Sequence, residues 1–115
     1  LNSGKKFICF IYGFNNLEES PYSLDLAGCF EICPCCGFEY GGDDYDCIEF
    51  IHEGLTNLEI VKNSHLCWRY AWIRKGMRLF DPKAFSREVK KGDSIKDDII
   101  RKQLKQNLGI ELHIY

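Results

Sequence analysis

The sequence predicts an α+β fold, in which a cysteine-rich β unit of residues 1–44 is followed by a mainly helical part of residues 45–115. Two observations carry this prediction: a short cysteine-containing turn occurs twice in the first third of the chain, and apolar residues recur at helical spacing in the rest. A chain of 115 residues with 45% apolar content can bury a core of its own. We therefore expect one domain.

The repeated turn is the strongest signal in the chain. Residues 33–38 read CPCCGF, and residues 9–14 read CFIYGF, which is the same pattern with one thiol replaced by Tyr12. Two Cys-x-x-Cys-Gly turns are typical of a zinc ribbon, because each turn presents two thiolates and its glycine lets the backbone fold under the ion. We call residues 9–13 the first knuckle and residues 33–37 the second knuckle. They predict a degenerate zinc-ribbon-like unit.

Secondary structure can be assigned around the two knuckles. Residues 7–12 and 29–33 are rich in aromatic and β-branched side chains, so each is expected to be a strand that leads into a knuckle. Residues 46–61 have apolar side chains three or four positions apart, which predicts a helix broken near Gly54.

A firmer helix is predicted from the N-cap pair Asn63-Ser64 to Gly76, anchored on the core by aromatic and branched side chains. These anchors are Trp68, Tyr70, Trp72 and Ile73.

The end of the chain adds three smaller elements. Asp81-Pro82 predicts a short turn or helix, and Asp93-Ser94 is expected to cap a last helix that stops at Gly109. Residues 110–115 alternate apolar and polar side chains, which indicates an edge strand at the C-terminus.

At these residues a family resemblance is evident. Residues 23–44, which contain the CPCCGF run, and residues 68–77, WRYAWIRKGM, resemble the bacterial cysteine-rich CPCC proteins. The match covers about residues 5–80. The resemblance implies a zinc ribbon followed by a short helix. Because some members of that family are encoded beside polymorphic toxins, it also implies an immunity role.

The resemblance assigns three metal ligands, Cys9, Cys33 and Cys36. Zinc would need a fourth ligand, and Tyr12 is a poor one because a phenol ionises near pH 10. The alternatives for that position are Cys35, Cys29, His52, His65 and water. In a rival hypothesis the ribbon holds no metal, its thiols pack as small apolar groups, and Tyr12 fills the space of the missing ligand.

Charge is divided sharply along the chain. Residues 62–115 carry 13 basic and six acidic side chains, whereas residues 7–61 contain no Lys or Arg and 11 acids. Such asymmetry indicates either a charged partner or two halves that neutralise each other across the fold. The candidate recognition face consists of six acids, Glu39, Asp43, Asp44, Asp46, Glu49 and Glu53.

These observations favour a non-enzymatic binding protein. An acidic surface suits a toxin domain with a basic cleft, such as a nuclease, so the expected function is that of an immunity protein. The alternative is a zinc-ribbon module that binds nucleic acid through residues 83–105, although the ribbon itself has no positive charge. The three His residues are scattered, so no catalytic site is expected.

Cysteine usage and hydropathy predict the location. Seven thiols are an odd count, which fits a reducing cytoplasm better than a secreted disulfide framework. No run approaches the ~18 apolar residues of a membrane span.

Overall fold

The computed structural model describes residues 6–45 and 53–111 and has the predicted α+β fold. Two helices, α1 and α2, accompany a small antiparallel sheet of strands β1 and β2 and two 3₁₀ turns. In chain order the elements are α1 (Asn57–Arg74), the 3₁₀ turns Pro82–Ala84 and Arg87–Val89, β1 (Lys90–Lys91), β2 (Ser94–Ile95) and α2 (Asp97–Leu108).

The cysteine-rich unit contains no regular strand among residues 6–45. The strands predicted over residues 7–12 and 29–33 are wrong, because each arm pairs through a single bridge before the chain turns into a knuckle. Phe7 bridges to Leu17 around the first knuckle, and Ile32 bridges to Glu39 around the second. Each knuckle is therefore closed at its base by one antiparallel bridge.

The two knuckles share one backbone conformation. In the first knuckle the Gly13 amide donates to the Cys9 carbonyl (2.9 Å) and the Cys9 amide donates to the Phe14 carbonyl (2.8 Å). The second knuckle repeats both hydrogen bonds at 2.8 and 3.0 Å. Its glycine has φ of +79°, and Gly13 has +76°, a left-handed region that favours glycine. The repeat seen in the sequence is thus a structural repeat.

Helix α1 begins earlier than predicted. Asn63 and Ser64 lie inside it, and the N-cap is Thr56, which forms a capping box with Glu59. The Glu59 amide donates to Thr56 Oγ1 (3.2 Å), and the Thr56 amide donates to Glu59 Oε1 (2.9 Å). These two reciprocal bonds satisfy end amides that a cap at Asn63 would leave for water. The predicted stop is confirmed, since the helix ends at Arg74 and Gly76 has φ of +93°.

Helix α2 begins later than predicted. Asp93 does not cap it, because β1 and β2 form a hairpin there that turns through Gly92 at φ of +63°. The helix starts at Asp97 and ends, as predicted, at Gly109 with φ of +68°. The predicted turn at Asp81-Pro82 is confirmed as the first 3₁₀ turn.

Two predicted elements lie partly outside the described residues. Of the helix expected over residues 46–61, residues 53–56 form a turn and an extended connection, residues 57–61 belong to α1, and residues 46–52 are outside. Of the edge strand, residues 110–111 are not in a strand and residues 112–115 are outside. Neither described helix has the length and apolar character needed to cross a membrane.

The core lies between the two knuckles and the helices. Trp72 is 7% exposed and packs in this core, as predicted, whereas Tyr70 is 43% exposed and is not an anchor. Trp68 and Ile73 are partly buried against it. The fully buried side chains come mostly from the cysteine-rich unit and α2: Cys9, Ile11, Tyr12, Leu17, Cys33, Cys35, Phe38, Tyr40, Ile100 and Leu104.

Candidate metal centre

The knuckles bring the three predicted ligands together. The Sγ atoms of Cys9, Cys33 and Cys36 all lie within 4.8 Å of one another, and the Cys9 and Cys36 sulfurs are 3.9 Å apart. Four thiolates at ~2.3 Å from a tetrahedral zinc ion are separated by about 3.8 Å. The three side chains are at most 3% exposed. Their donor type and spacing therefore fit a buried, structural metal ion.

The three thiols share their protons unevenly. Burial raises the pKa of Cys9, but hydrogen bonds from Cys33, Cys36 and Tyr40 and from the Ile11 amide bring it well below the usual range. Burial and the hydrogen bonds to Cys33 and Cys9 raise the pKa of Cys36. For Cys33, a hydrogen bond from Cys36 lowers the pKa, and contact with Cys9 together with burial raises it by more. The contacts around the three thiols thus lower the pKa of Cys9 and raise those of Cys33 and Cys36.

Tyr12 is held by contacts with helix α1. Its ring is buried against Trp72, with centroids 4.4 Å apart, and its hydroxyl donates to the Arg69 carbonyl. The phenol oxygen is thus bound by the α1 backbone, and whether the ring occupies the space of the missing ligand stays a prediction. Burial raises the pKa of this phenol, so it remains neutral.

The other described candidates for a fourth ligand also lie elsewhere. Cys35 is buried with Gln103 as a hydrogen-bond neighbour, and burial raises its pKa. Cys29 is half-buried and lies beside Glu19 and Glu31. His65 is occupied by Tyr22, as described below, and His52 is outside the described residues. Residues 6–45 and 53–111 therefore supply three donors and no fourth.

Glu31 shows why the group around Cys29 is a turn and not a second metal centre. Its two carboxylate oxygens accept from the amides of Glu18 (2.9 Å) and Glu19 (3.0 Å). These bonds satisfy the backbone after Leu17, so the proximity of Glu31 to Cys29 follows from chain geometry. Burial raises the pKa of Cys29, which keeps the thiol protonated.

Tyr40 was not predicted as part of the site. Its hydroxyl lies 2.8 Å from Cys9 Sγ and accepts from the Phe10 amide at 2.9 Å, so its own proton can be donated to the sulfur. Burial and the neighbouring thiolate raise the pKa of Tyr40, which keeps that proton in place. Nothing in its sequence position indicates this role, because the contact spans 31 residues.

The carbonyl groups of the first knuckle are bound by side chains of the helical part. Arg69 donates from Nη2 to the Phe10 carbonyl (2.8 Å) and from Nε to the Ile11 carbonyl (2.6 Å). Gln103 in α2 donates to the Tyr12 carbonyl (2.8 Å). Arg69, one of the 13 basic residues of the second half, is thus a structural part of the first knuckle.

The equivalent carbonyls of the second knuckle are also bound. The amides of Asp81 and Phe80 donate to the Pro34 carbonyl (2.9 Å) and the Cys35 carbonyl (3.2 Å). Trp68 donates from Nε1 to the Cys36 carbonyl (2.8 Å). Each knuckle therefore has the same three carbonyls satisfied, by different groups, from beyond residue 56.

Asp44 is not a surface residue. It is 3% exposed and accepts a hydrogen bond from the Tyr22 hydroxyl (2.7 Å), which also lies 2.8 Å from His65 Nε2. Burial lowers the pKa of His65 to about 4, so the imidazole is neutral and donates to Tyr22. This buried network, which no sequence pattern signalled, corrects the assignment of Asp44 to the recognition face.

The other acids of that face are placed differently. Asp43 is half-buried and accepts from the Glu39 amide (2.8 Å), and Glu39 is half-buried as well. Glu53 is exposed. Asp46 and Glu49 are outside the described residues.

The remaining thiols divide into free and bonded groups. Cys9, Cys29, Cys33, Cys35 and Cys36 are free. Cys67 is half-buried and disulfide-bonded. Cys47 is outside the described residues.

Comparison with known proteins places the chain among proteins of its own size. It is 35% identical over 111 residues to the uncharacterized protein YoaQ of Bacillus subtilis (strain 168), covering 93% of this chain and 92% of YoaQ. The chain belongs to the YoaQ family. The uncharacterized protein YozI of the same strain is 34% identical over 112 residues, which cover 93% of this chain and 90% of YozI. No family model and no solved structure matches this member of the YoaQ family.

Proposed function

We propose that this protein is a non-enzymatic binding protein, an immunity protein that neutralises a toxin domain with a basic surface. The observation that carries this proposal is the division of charge, which the ion pairs of the fold do not cancel. Those between described residues join Lys6 to Glu18, Arg78 to Asp93, Arg101 to Asp97 and Lys105 to Glu111.

None of these ion pairs joins an acid of residues 7–61 to a base of residues 62–111. Arg69 reaches into the acidic half, and there it binds backbone carbonyls. The ion pairs between described residues therefore leave the exposed acids of residues 7–45 and 53–61 able to steer and hold a cationic partner. This favours a charged partner over mutual neutralisation of the two halves.

The acids available to such a partner are those that remain on the surface. Glu19, Asp25 and Glu53 are exposed, whereas Asp44 is buried. A nuclease toxin binds phosphate with Lys and Arg, so an acidic protein can occupy its cleft. The resemblance to the cysteine-rich CPCC proteins, some of which accompany toxins, supports the same function.

A metal ion at Cys9, Cys33 and Cys36 would have a structural role in this proposal, and zinc is the ion that the family resemblance implies there. The thiols are buried, so an ion there would hold the two knuckles together and would not meet a substrate. Five described cysteines are free, which favours a cytoplasmic location, whereas the disulfide at Cys67 is a feature more typical of oxidising compartments.

The test uses the product of the neighbouring gene as the candidate toxin. Reversing Glu19, Asp25 and Glu53 to Lys should slow association at least ten-fold at low salt, with a smaller effect on dissociation. The matched control reverses Asp81, Glu88 and Asp98 to Lys. These are three exposed acids of the basic half, and the control should associate at a rate within about two-fold of the wild-type rate. Equal effects of the two triple variants would contradict the proposal.

The alternative of a nucleic-acid module is tested in the same titration. Its cations would include Lys90, Arg101 and Lys105, yet Lys90 donates to the Pro82 carbonyl (2.7 Å) and the other two form the ion pairs given above. Binding of labelled RNA or DNA at physiological salt, lost when these residues and Lys91 are neutralised, would favour that alternative.

A further inference from the structure

The candidate metal centre has one donor fewer than a closed zinc site. Structural zinc sites are almost always four-coordinate, and in a three-ligand site a solvent molecule takes the fourth position. Cys9 and Cys33 are 0% exposed and Cys36 is 3% exposed, so the thiols have almost no contact with solvent. Among the described residues the site therefore offers three soft donors in a dry environment.

In the structure Tyr12 is engaged by helix α1. Its hydroxyl is bound by the Arg69 carbonyl and its ring is packed against Trp72, both on α1. The Tyr40 hydroxyl lies 2.8 Å from Cys9 Sγ and is a hydrogen-bond partner of both Cys9 and the Phe10 amide. Both tyrosine hydroxyls thus have hydrogen-bond partners, and the part of the chain that the structure describes supplies a triad of thiols.

We propose that Cys9, Cys33 and Cys36 form a three-coordinate site that binds copper(I) in preference to zinc. Thiolates suit both copper(I) and zinc, but copper(I) is stable with three ligands, whereas structural zinc is almost always four-coordinate. Three thiolates in one plane with a metal at ~2.3 Å are about 4.0 Å apart, close to the 3.9 Å between the Cys9 and Cys36 sulfurs. The distance fits both geometries, and the three donors found among residues 6–45 and 53–111 favour the three-coordinate one.

The surroundings can carry the negative charge of such a site. Three thiolates around a monovalent ion have a net charge of about −2, which is costly in a buried place unless donors offset it. The Tyr40 hydroxyl and the Ile11 amide donate to Cys9, and the Arg69 guanidinium is close enough to interact electrostatically with Cys9 and Cys36. The inference rests on the metal centre of the proposed function and not on its toxin partner.

The experiment is an anaerobic titration of metal-free protein, with the disulfide of Cys67 intact and the other described thiols reduced, with copper(I) and with zinc, each held by a competing chelator. Wild type should bind one copper(I), and X-ray absorption should show three sulfur neighbours. Tyr12 occupies the position in the first knuckle that Cys36 occupies in the second, so Tyr12→Cys should supply a fourth thiolate. The variant should bind zinc at least 100-fold more tightly than the wild type and copper(I) less than ten-fold more tightly. Tyr12→Ala is the control for the lost ring.

Two cysteine variants locate the site. Cys33→Ser should lower copper(I) affinity at least 100-fold, whereas Cys35→Ser, which removes a buried thiol outside the triad, should change it less than three-fold. His52→Ala tests a ligand outside the described residues and should leave both affinities unchanged.

The outcomes separate this inference from the proposed function. If the wild type binds neither ion, the metal centre of the proposed function fails and the inference fails with it. A four-coordinate zinc site lost in His52→Ala, or several copper ions bound as a cluster, would overturn the inference and leave a metal centre standing. Because coordination number is measured on the wild type, the test survives if Tyr12→Cys does not fold.

Discussion

Arg69 Nε lies 2.6 Å from the carbonyl oxygen of Ile11, to which it donates a hydrogen bond. A side chain of α1 thereby holds the turn that carries Cys9, through a bond between residues 58 positions apart in the sequence. The same guanidinium holds the Phe10 carbonyl. The first knuckle, which has Tyr12 in place of a second thiol, is thus supported by two hydrogen bonds from a guanidinium group.

Replacing Arg69 should therefore destabilise the protein. Arg69→Ala leaves two carbonyls without their charged donor and should lower the free energy of unfolding by about 3 kcal/mol. Arg69→Lys should be intermediate, because an ammonium cannot reproduce the two-point geometry. Urea unfolding measures both, with Arg87→Ala at an exposed position as the control. A loss in Arg69→Ala no larger than in the control would contradict this role.

Trp72 should be a core residue in solution. Its ring packs on Tyr12, and its Nε1 donates to the Arg78 carbonyl (2.7 Å), so Trp72→Ala should cost about 3–5 kcal/mol. Tyr70→Ala, two positions earlier and 43% exposed, should cost about 0.5 kcal/mol or less. Thermal unfolding of both variants is the measurement. Equal melting temperatures for the two would place Trp72 on the surface.

Gly28 should not tolerate a side chain. A Cβ there would overlap the backbone of Tyr40 and Gly41, so Gly28→Ala should cost about 3 kcal/mol or more. Gly92→Ala is the control, since its Cβ would meet no atom within 4 Å and only its φ of +63° is unfavourable, at about 1 kcal/mol. Circular dichroism with urea compares the two. A loss of stability in Gly28→Ala smaller than that in Gly92→Ala would mean that the segments around Gly28 and Gly41 can move apart at little cost.

His65 should make the protein less stable in mild acid. Burial lowers its pKa to about 4, below the ~6.5 of the unfolded chain, so the unfolded state binds the proton more readily. Its contribution is present above pH 6.5 and is lost as the pH falls towards 4, by up to about 3 kcal/mol. Urea unfolding of metal-free protein at pH 7, 5.5 and 4.5 should show this slope. His65→Gln should be less stable at pH 7 and less dependent on pH, and an unchanged slope would assign the effect to other groups.

The sequence predicted those features that are written in local patterns. The knuckles follow from Cys-x-x-x-Gly spacing, and the helix stops follow from Gly76 and Gly109, since a left-handed residue strongly favours glycine. The predicted starts of both helices are wrong because Ser, Thr, Asp and Asn occur in turns and strands as well as at helix N-caps. Ser94 resembles a cap but belongs to β2, and Thr56 was passed over although Glu59 three positions later completes a capping box.

The environment of the site could not be predicted in the same way. Spacing and resemblance identify three cysteines, but the direction of Tyr12 depends on Trp72, which is 60 residues away in the sequence. The burial of Asp44 likewise depends on Tyr22, whose hydroxyl reaches it across a 22-residue separation. Acidic residues in a glycine-rich segment are usually solvated, so composition indicated a surface where the fold forms a network.

The donors that satisfy the knuckle carbonyls also bear on the order of folding. The first knuckle is held from Arg69 and Gln103, at sequence separations of 58 and 91 residues. Contacts of such long range close large loops before they yield any stabilisation, which slows folding and concentrates it in a late step. A chain emerging from the ribosome would present the thiols of both knuckles long before α2 exists. If the proposed site binds its ion in that interval, small-molecule thiols and metal buffers would compete for it, so the rate at which the helices dock would set the fraction of newly made protein that binds a metal.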